Sequence, residues 1–152
     1  MLECTFELNG KAMSALRCGA LAFPAFSGMP TYKNQPESTC IPDFGAIPRG
    51  TYFIVDRESG GTLGPFKDMF TGKSDWFALY AIDRRIDDYT FCRAVERGNF
   101  RLHPKGLIGK SKGCITIESA LDFYRLRVLL RGRRTEAIQG TSLRTYGKVV
   151  VK

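Results

Sequence analysis

A single histidine, His103, occurs in the 152 residues of the chain. Sites built from two or more imidazoles, including HExxH zinc proteases, are thereby excluded. The five cysteines, at positions 4, 18, 40, 92 and 114, contain no CxxC pair. That argues against a structural zinc ribbon. They are also too sparse for a disulfide-stapled mini-domain, and a chain of this length buries a core without staples. Their number is odd, so at least one thiol stays free unless it pairs between chains. No run approaches the ~20 apolar residues of a membrane span, so no membrane insertion is expected. The N-terminus, Met1-Leu-Glu-Cys-Thr-Phe-Glu-Leu, has neither a basic start nor a long apolar stretch, and a Sec signal peptide is not expected. The 16 glycines follow no three-residue period and no heptad pattern persists. Collagen-like and coiled-coil readings fall away.

What remains is an ordinary globular mixture, 43% hydrophobic and 25% charged, of the size of one domain spanning residues 1–152. Lys and Arg number 23 against 15 Asp and Glu, a formal charge of +8. A basic surface suits an anionic partner: nucleic acid, anionic lipid or a cell-wall polymer.

Short strands and turns dominate the pattern. Leu2–Leu8 alternates as a strand, Asn9-Gly10 signals a turn, and residues 12–17 suit a partner strand. From Met29 to Pro48 four prolines mark a long irregular loop, a type that is often functional. Thr51–Asp56 and Trp76–Ile82 read as strands by β-branched and aromatic content. Gly60-Gly61 and Gly64-Pro65 punctuate a second loop between them. The spacing predicts one principal helix from Ser119, an N-cap, to Gly132, a C-terminal stop. Asp122 sits in its first turn. Its apolar face is expected at Leu121, Tyr124 and Val128 or Leu129, with Arg125, Arg127 and Arg131 exposed.

The chemistry concentrates in Arg101-Leu-His-Pro-Lys-Gly-Leu-Ile-Gly-Lys-Ser-Lys-Gly-Cys-Ile-Thr-Ile117. A strand ending at His103 and another beginning at Ile115 would let the glycine-containing link bring imidazole and thiol together. A thiolate is the reactive form of cysteine, and a neighbouring imidazole takes its proton. Gly113 keeps bulk away from Cys114, and the N–H groups of both residues suit an oxyanion. Ser111 is placed to bind substrate or orient the loop. Asn99, Asp88 or a backbone carbonyl would serve to orient the histidine.

Ser111-Lys-Gly-Cys114, with a histidine upstream, resembles the [Ser/Thr]-x-Gly-Cys motif of L,D-transpeptidase catalytic domains. Ile47-Pro-Arg-Gly-Thr-Tyr52 resembles that family's Pro-x-Gly-x-aromatic segment. Phe23-Pro-Ala-Phe-Ser-Gly28, Tyr52-Phe-Ile-Val-Asp-Arg57, Trp76-Phe-Ala-Leu-Tyr80, Gly98-Asn-Phe-Arg-Leu-His-Pro104 and Gly113-Cys-Ile115 extend the likeness to the L,D-transpeptidase-like effectors of type VI secretion systems. The sequence departs from the broader family in its shorter His-to-Cys interval, in Lys112 where histidine is common, and in Thr116 where arginine is common.

The resemblance implies a mainly β, small sandwich-like domain with one principal α-helix after the catalytic cysteine. It implies an L,D-carboxypeptidase or L,D-transpeptidase acting on tetrapeptide stems of peptidoglycan through an acyl-enzyme. Cys114 is the expected nucleophile and His103 its base, with Ser111 and Gly113 completing the catalytic loop. Arg101 and then Lys112 are the expected holders of a substrate carboxylate. No metal or organic cofactor is implied. An immunity protein and secretion machinery are the expected partners, and the periplasm of a target cell the expected place of action. The alternatives are a cysteine peptidase or amidase of another class, and a basic nucleic-acid or glycan binding module with Phe23, Phe26, Tyr32 and Trp76 as stacking platforms.

Overall fold

A computed structural model describes residues 1–57, 75–106 and 111–152. The glycine turns expected at residues 60–65, and Gly109 of the link before Cys114, lie outside the described residues.

Alternation sets the first strands. In β1 (Leu2–Phe6), Leu2, Cys4 and Phe6 are buried and Glu3 is exposed, the period of a strand with one buried face. β1 runs antiparallel to β2 (Ser14–Cys18) with Cys4 opposite Cys18, and the two form a disulfide. Asn9-Gly10 lies in the link between them. The Asn9 side chain accepts from the Lys11 N–H, and Gly10 takes the left-handed φ of 68° that glycine tolerates best. β3 (Leu21–Phe26), β4 (Gly50–Asp56) and β5 (Phe77–Ala81) follow.

β6 (Tyr89–Cys92) and β7 (Val95–Gly98) form a separate hairpin that sequence reading missed. Its turn residues, Arg93 and Ala94, both have positive φ (47° and 64°). Neither is a residue type that announces such a turn. β8 (Arg101–Pro104), β9 (Ile115–Ile117), helix α1 (Ala120–Arg131), β10 (Glu136–Ala137) and β11 (Arg144–Val151) complete the chain.

The main sheet runs β1-β2-β3-β9-β8-β5-β4-β11-β10, and β1 also pairs in parallel with β11. The sheet therefore closes on itself, with β10 as a short addition to one end of β11. Closure leaves few exposed edges. Phe6, Leu16, Ile54, Leu102 and Ile115 share one core with Phe123, Leu126 and Leu130 of α1. The expected mainly β architecture with one principal helix after Cys114 is what the structure has.

The helix boundaries follow their signals. Ser119 caps α1 by accepting from the Asp122 N–H, and Gly132 ends it. Its buried face is a correction. Phe123, Leu126 and Leu130 point into the core, whereas Leu121, Tyr124 and Val128 are exposed. Two apolar stripes at helical spacing run along this segment, and periodicity alone does not choose between them. Of the arginines expected on the exposed side, Arg125 and Arg131 are exposed and Arg127 is half-buried. Arg127 pairs with Asp75, and Arg131 lies over Phe77 and Tyr146 while pairing with Asp56. Phe23 and Phe26 are buried and pack as core residues rather than as stacking platforms.

Candidate active site

β8 and β9 are parallel neighbours, with Leu102 opposite Ile115 and His103 opposite Thr116. Paired residues project to the same face and alternate residues to opposite faces. Leu102 and Ile115 fill the core. His103 and Thr116 therefore share the other face. Continuing the register one step places Cys114 level with Arg101 on that same face. The cysteine immediately before β9 and the histidine inside β8 thus stand diagonally across two adjacent strands.

His103 is buried and held from three sides. Its Nδ1 lies 2.7 Å from the Pro104 carbonyl oxygen. A carbonyl only accepts, so Nδ1 carries a proton, and in the neutral ring Nε2 holds the lone pair. Nε2 faces the Thr116 hydroxyl at 3.4 Å. That hydroxyl can donate to a neutral ring and accept from a charged one. The Trp76 indole stacks on the imidazole, centroids 4.3 Å apart at 20°. Of the orienting groups anticipated, the backbone carbonyl is the one at Nδ1. Asp88 is bound instead to Arg101, and Asn99 offers its carbonyl to the Cys114 thiol at 3.7 Å.

Cys114 is the free cysteine, since Cys4 pairs with Cys18 and Cys40 with Cys92. Burial pushes its thiol up from the ordinary range; a backbone bond from Arg101 and the charges of Arg101 and Arg97 pull the other way. The resting group is a thiol, so a proton acceptor is required to make it a nucleophile.

The loop before Cys114 is braced by the proline-rich segment. Ser111 is buried; its hydroxyl donates to the Cys114 carbonyl at 2.7 Å and accepts from the Gly28 N–H at 3.3 Å. Gly113 has φ +96°, and a Cβ there would stand 2.6 Å from an Arg97 guanidinium nitrogen and 2.9 Å from the Phe100 ring. Only glycine fits. Arg97, also buried, donates to the carbonyls of Thr39, Gly45 and Ala46. The Cys40–Cys92 disulfide joins that same segment to the β6–β7 hairpin. Residues 27–48 are accordingly a built wall. Asn34 and Ser27 are buried and bonded: Ser27 N–H donates to the Asn34 side chain and Ile47 N–H to the Ser27 hydroxyl.

The histidine and cysteine open onto one cleft of about 500 Å³, lined also by Asp43, Arg57, Trp76, Asn99, Arg101 and Lys112. Arg101 makes a bidentate ion pair with Asp88 at 2.6 and 2.7 Å. Lys112 is exposed at the rim. Sequence reading did not single out Arg57, Asp43 or Arg97 as site residues, and placed Trp76 only as a stacking platform. Their signal is spatial: Arg57 and Asp43 line the same cleft from segments distant in sequence, and the charge of Arg97 acts on the Cys114 thiol. No group of three or more metal-ligating side chains gathers among the described residues.

A free, half-buried cysteine on the same face as a buried, oriented histidine, both opening on one cleft, defines a candidate cysteine–histidine centre on a closed β-sheet. The model of the Tlde1 domain matches residues 21–141, and the chain belongs to that family of type VI secretion effectors. No curated protein and no solved structure matches it. Membership implies secretion machinery and an immunity partner. No helix among the described residues is long and apolar enough to cross a membrane.

Proposed function

We propose that this effector is a cysteine enzyme that cuts tetrapeptide stems of peptidoglycan. The observation that carries the reading is the free Cys114 and the sole histidine on one face of β8 and β9, lining one cleft. The Ser-x-Gly-Cys motif and the effector family supply the substrate class.

His103 Nε2 takes the Cys114 proton, and the thiolate attacks the carbonyl at the L-centre of the third stem residue. A carbon–sulfur bond forms and the carbonyl becomes an oxyanion, for which the N–H groups of Gly113 and Cys114 are the proposed donors. The imidazolium then protonates the leaving amine, the carbon–nitrogen bond breaks, and the terminal D-alanine departs. Water resolves the thioester, with His103 again as base, in the L,D-carboxypeptidase course. An amine of another stem resolves it in the transpeptidase course. The chain's own residues suffice for each proton transfer.

For the terminal carboxylate, Lys112 becomes the first candidate. The Arg101 guanidinium already satisfies Asp88, and its charge serves the Cys114 thiolate instead. Delivery to a rival's periplasm follows from the effector reading, and the immunity partner would meet a surface of net charge +8 with acidic groups.

Purified tetrapeptide muropeptides, incubated with the protein, test the reading by the mass of their products. Tripeptide or a new cross-link is expected with wild type and neither with Cys114→Ala. Expression with a secretion signal should lyse or arrest bacteria while cytoplasmic expression should not; equal toxicity in both compartments would favour a cytoplasmic target.

A further inference from the structure

The chain has one tryptophan and one histidine, and they lie face to face. Trp76 belongs to neither buried cluster of the core. It sits half-buried at the mouth of β5, with its ring near-parallel to the imidazole at 4.3 Å. Stacking is one of the favoured aromatic geometries, and here it sets the indole flat on the imidazole, whereas Phe77 meets Tyr146 and Phe123 tilted or edge-on.

Two hydrogen-bonding contacts of His103 meet the edge of its ring. Pro104 fixes the tautomer and Thr116 meets the lone pair, but neither defines the plane of the ring. A parallel indole does. It also presents its negative face to the ring that must become a cation, an attraction worth most in a site shielded from water.

We propose that Trp76 is a positioning residue for His103, holding the imidazole plane and favouring the imidazolium that forms when the ring takes the Cys114 proton. The proposal rests on His103 being that proton acceptor. The charged and titratable groups around the ring are Cys114, the Arg101–Asp88 pair on the same face, Arg57 near the indole at 5.9 Å, and Lys112 and Asp43 across the cleft. The Lys105–Glu118 pair lies just beyond Pro104. Arg57, Arg101 and Lys112 oppose a second cation. The indole and the Cys114 thiolate are the groups that favour it, with Asp43 and Asp88 more remote in role because Asp88 is committed to Arg101.

Two signals in the intact protein read this directly. The lone imidazole gives one Cε1–H proton resonance whose titration needs no assignment. The lone indole gives one emission band, which a stacked imidazolium quenches more than a neutral ring does. In wild type the fluorescence should fall with acidification at the same midpoint as the His103 resonance, and that step should vanish in His103→Ala. In Trp76→Leu the midpoint should drop by about half a pH unit, and alkylation of Cys114 at neutral pH should slow several-fold. Trp76→Phe, which keeps an aromatic face, should recover part of both. A wild-type emission indifferent to the His103 titration would overturn the proposal. So would a His103 midpoint in folded Trp76→Leu equal to wild type, or a Phe variant no better than Leu. None of these measurements uses a stem peptide. Failure to cleave tetrapeptide would therefore refute the substrate reading alone, and an unmoved midpoint would refute this one alone.

Discussion

Ser111 links two backbones that are far apart in sequence. Its hydroxyl proton goes to the carbonyl of Cys114, and its oxygen receives the N–H of Gly28, 83 residues away. The peptide group of Cys114 is thus hung from the proline-rich wall. Ser111→Ala would leave a buried N–H and a carbonyl without this partner. The expected cost is about 1–3 kcal/mol of stability, read by urea unfolding, together with loss of turnover from a displaced Cys114. Unchanged stability and unchanged kinetics would mean that the loop is held by something else.

The two disulfides should differ in weight. Cys40 and Cys92 are separated by 52 positions and Cys4 and Cys18 by 14. On the loop-entropy scale these closures are worth about 4 and about 3 kcal/mol. The Cys40→Ser, Cys92→Ser double variant should therefore melt below the Cys4→Ser, Cys18→Ser one. Below its melting point each should keep the Cys114 nucleophile and its activity. A reversed order of melting temperatures would contradict the loop-closure argument.

Burial raises the Cys114 thiol, so the sign of its pH dependence is set. Without an acceptor, the thiolate population at neutral pH falls below that of an ordinary cysteine. With His103 as acceptor, it does not. Iodoacetamide should label wild type at neutral pH, while His103→Ala should need alkaline pH, above the ordinary thiol range. Equal labelling of the two proteins at pH 7 would remove His103 as the base.

Arg101 and Lys112, two of the cations that line the cleft, should separate kinetically. Lys112 is exposed and is proposed to hold the substrate carboxylate, so Lys112→Ala should raise KM by about two- to five-fold, the scale of an exposed ion pair, with kcat little changed. Arg101 stabilises the thiolate and occupies Asp88, so Arg101→Ala should lower kcat and slow alkylation of Cys114. An Arg101 variant altered only in KM would return the substrate carboxylate to Arg101.

Much of this was legible in the residues. Period-2 burial marked β1, β-branched and aromatic content marked β4, and Ser119 and Gly132 bracketed α1. Cys114 and His103 stood out because each had few rivals of its kind. The rest depended on distances the chain does not write locally. The apolar face of α1 was ambiguous because Leu121, Tyr124 and Val128 repeat with nearly the same spacing as Phe123, Leu126 and Leu130. The β6–β7 hairpin hid behind an Arg-Ala turn. Arg97 was not singled out in the sequence; it is buried against three carbonyls, and only the fold brings those carbonyls to it. Gly113 was placed beside the nucleophile by motif, but the reason it must be glycine is the Arg97 and Phe100 wall.

The central claim is that Cys114 becomes acylated by a peptidoglycan stem. Intact-protein mass spectrometry after brief mixing with tetrapeptide muropeptide, followed by acid quench and peptide mapping, tests it most directly. The account predicts an adduct equal in mass to the tripeptide acyl group, located on Cys114, absent from Cys114→Ala, and accumulating with release of free alanine. Cleavage of the stem with no adduct at Cys114, or cleavage that persists in folded Cys114→Ala, would contradict it.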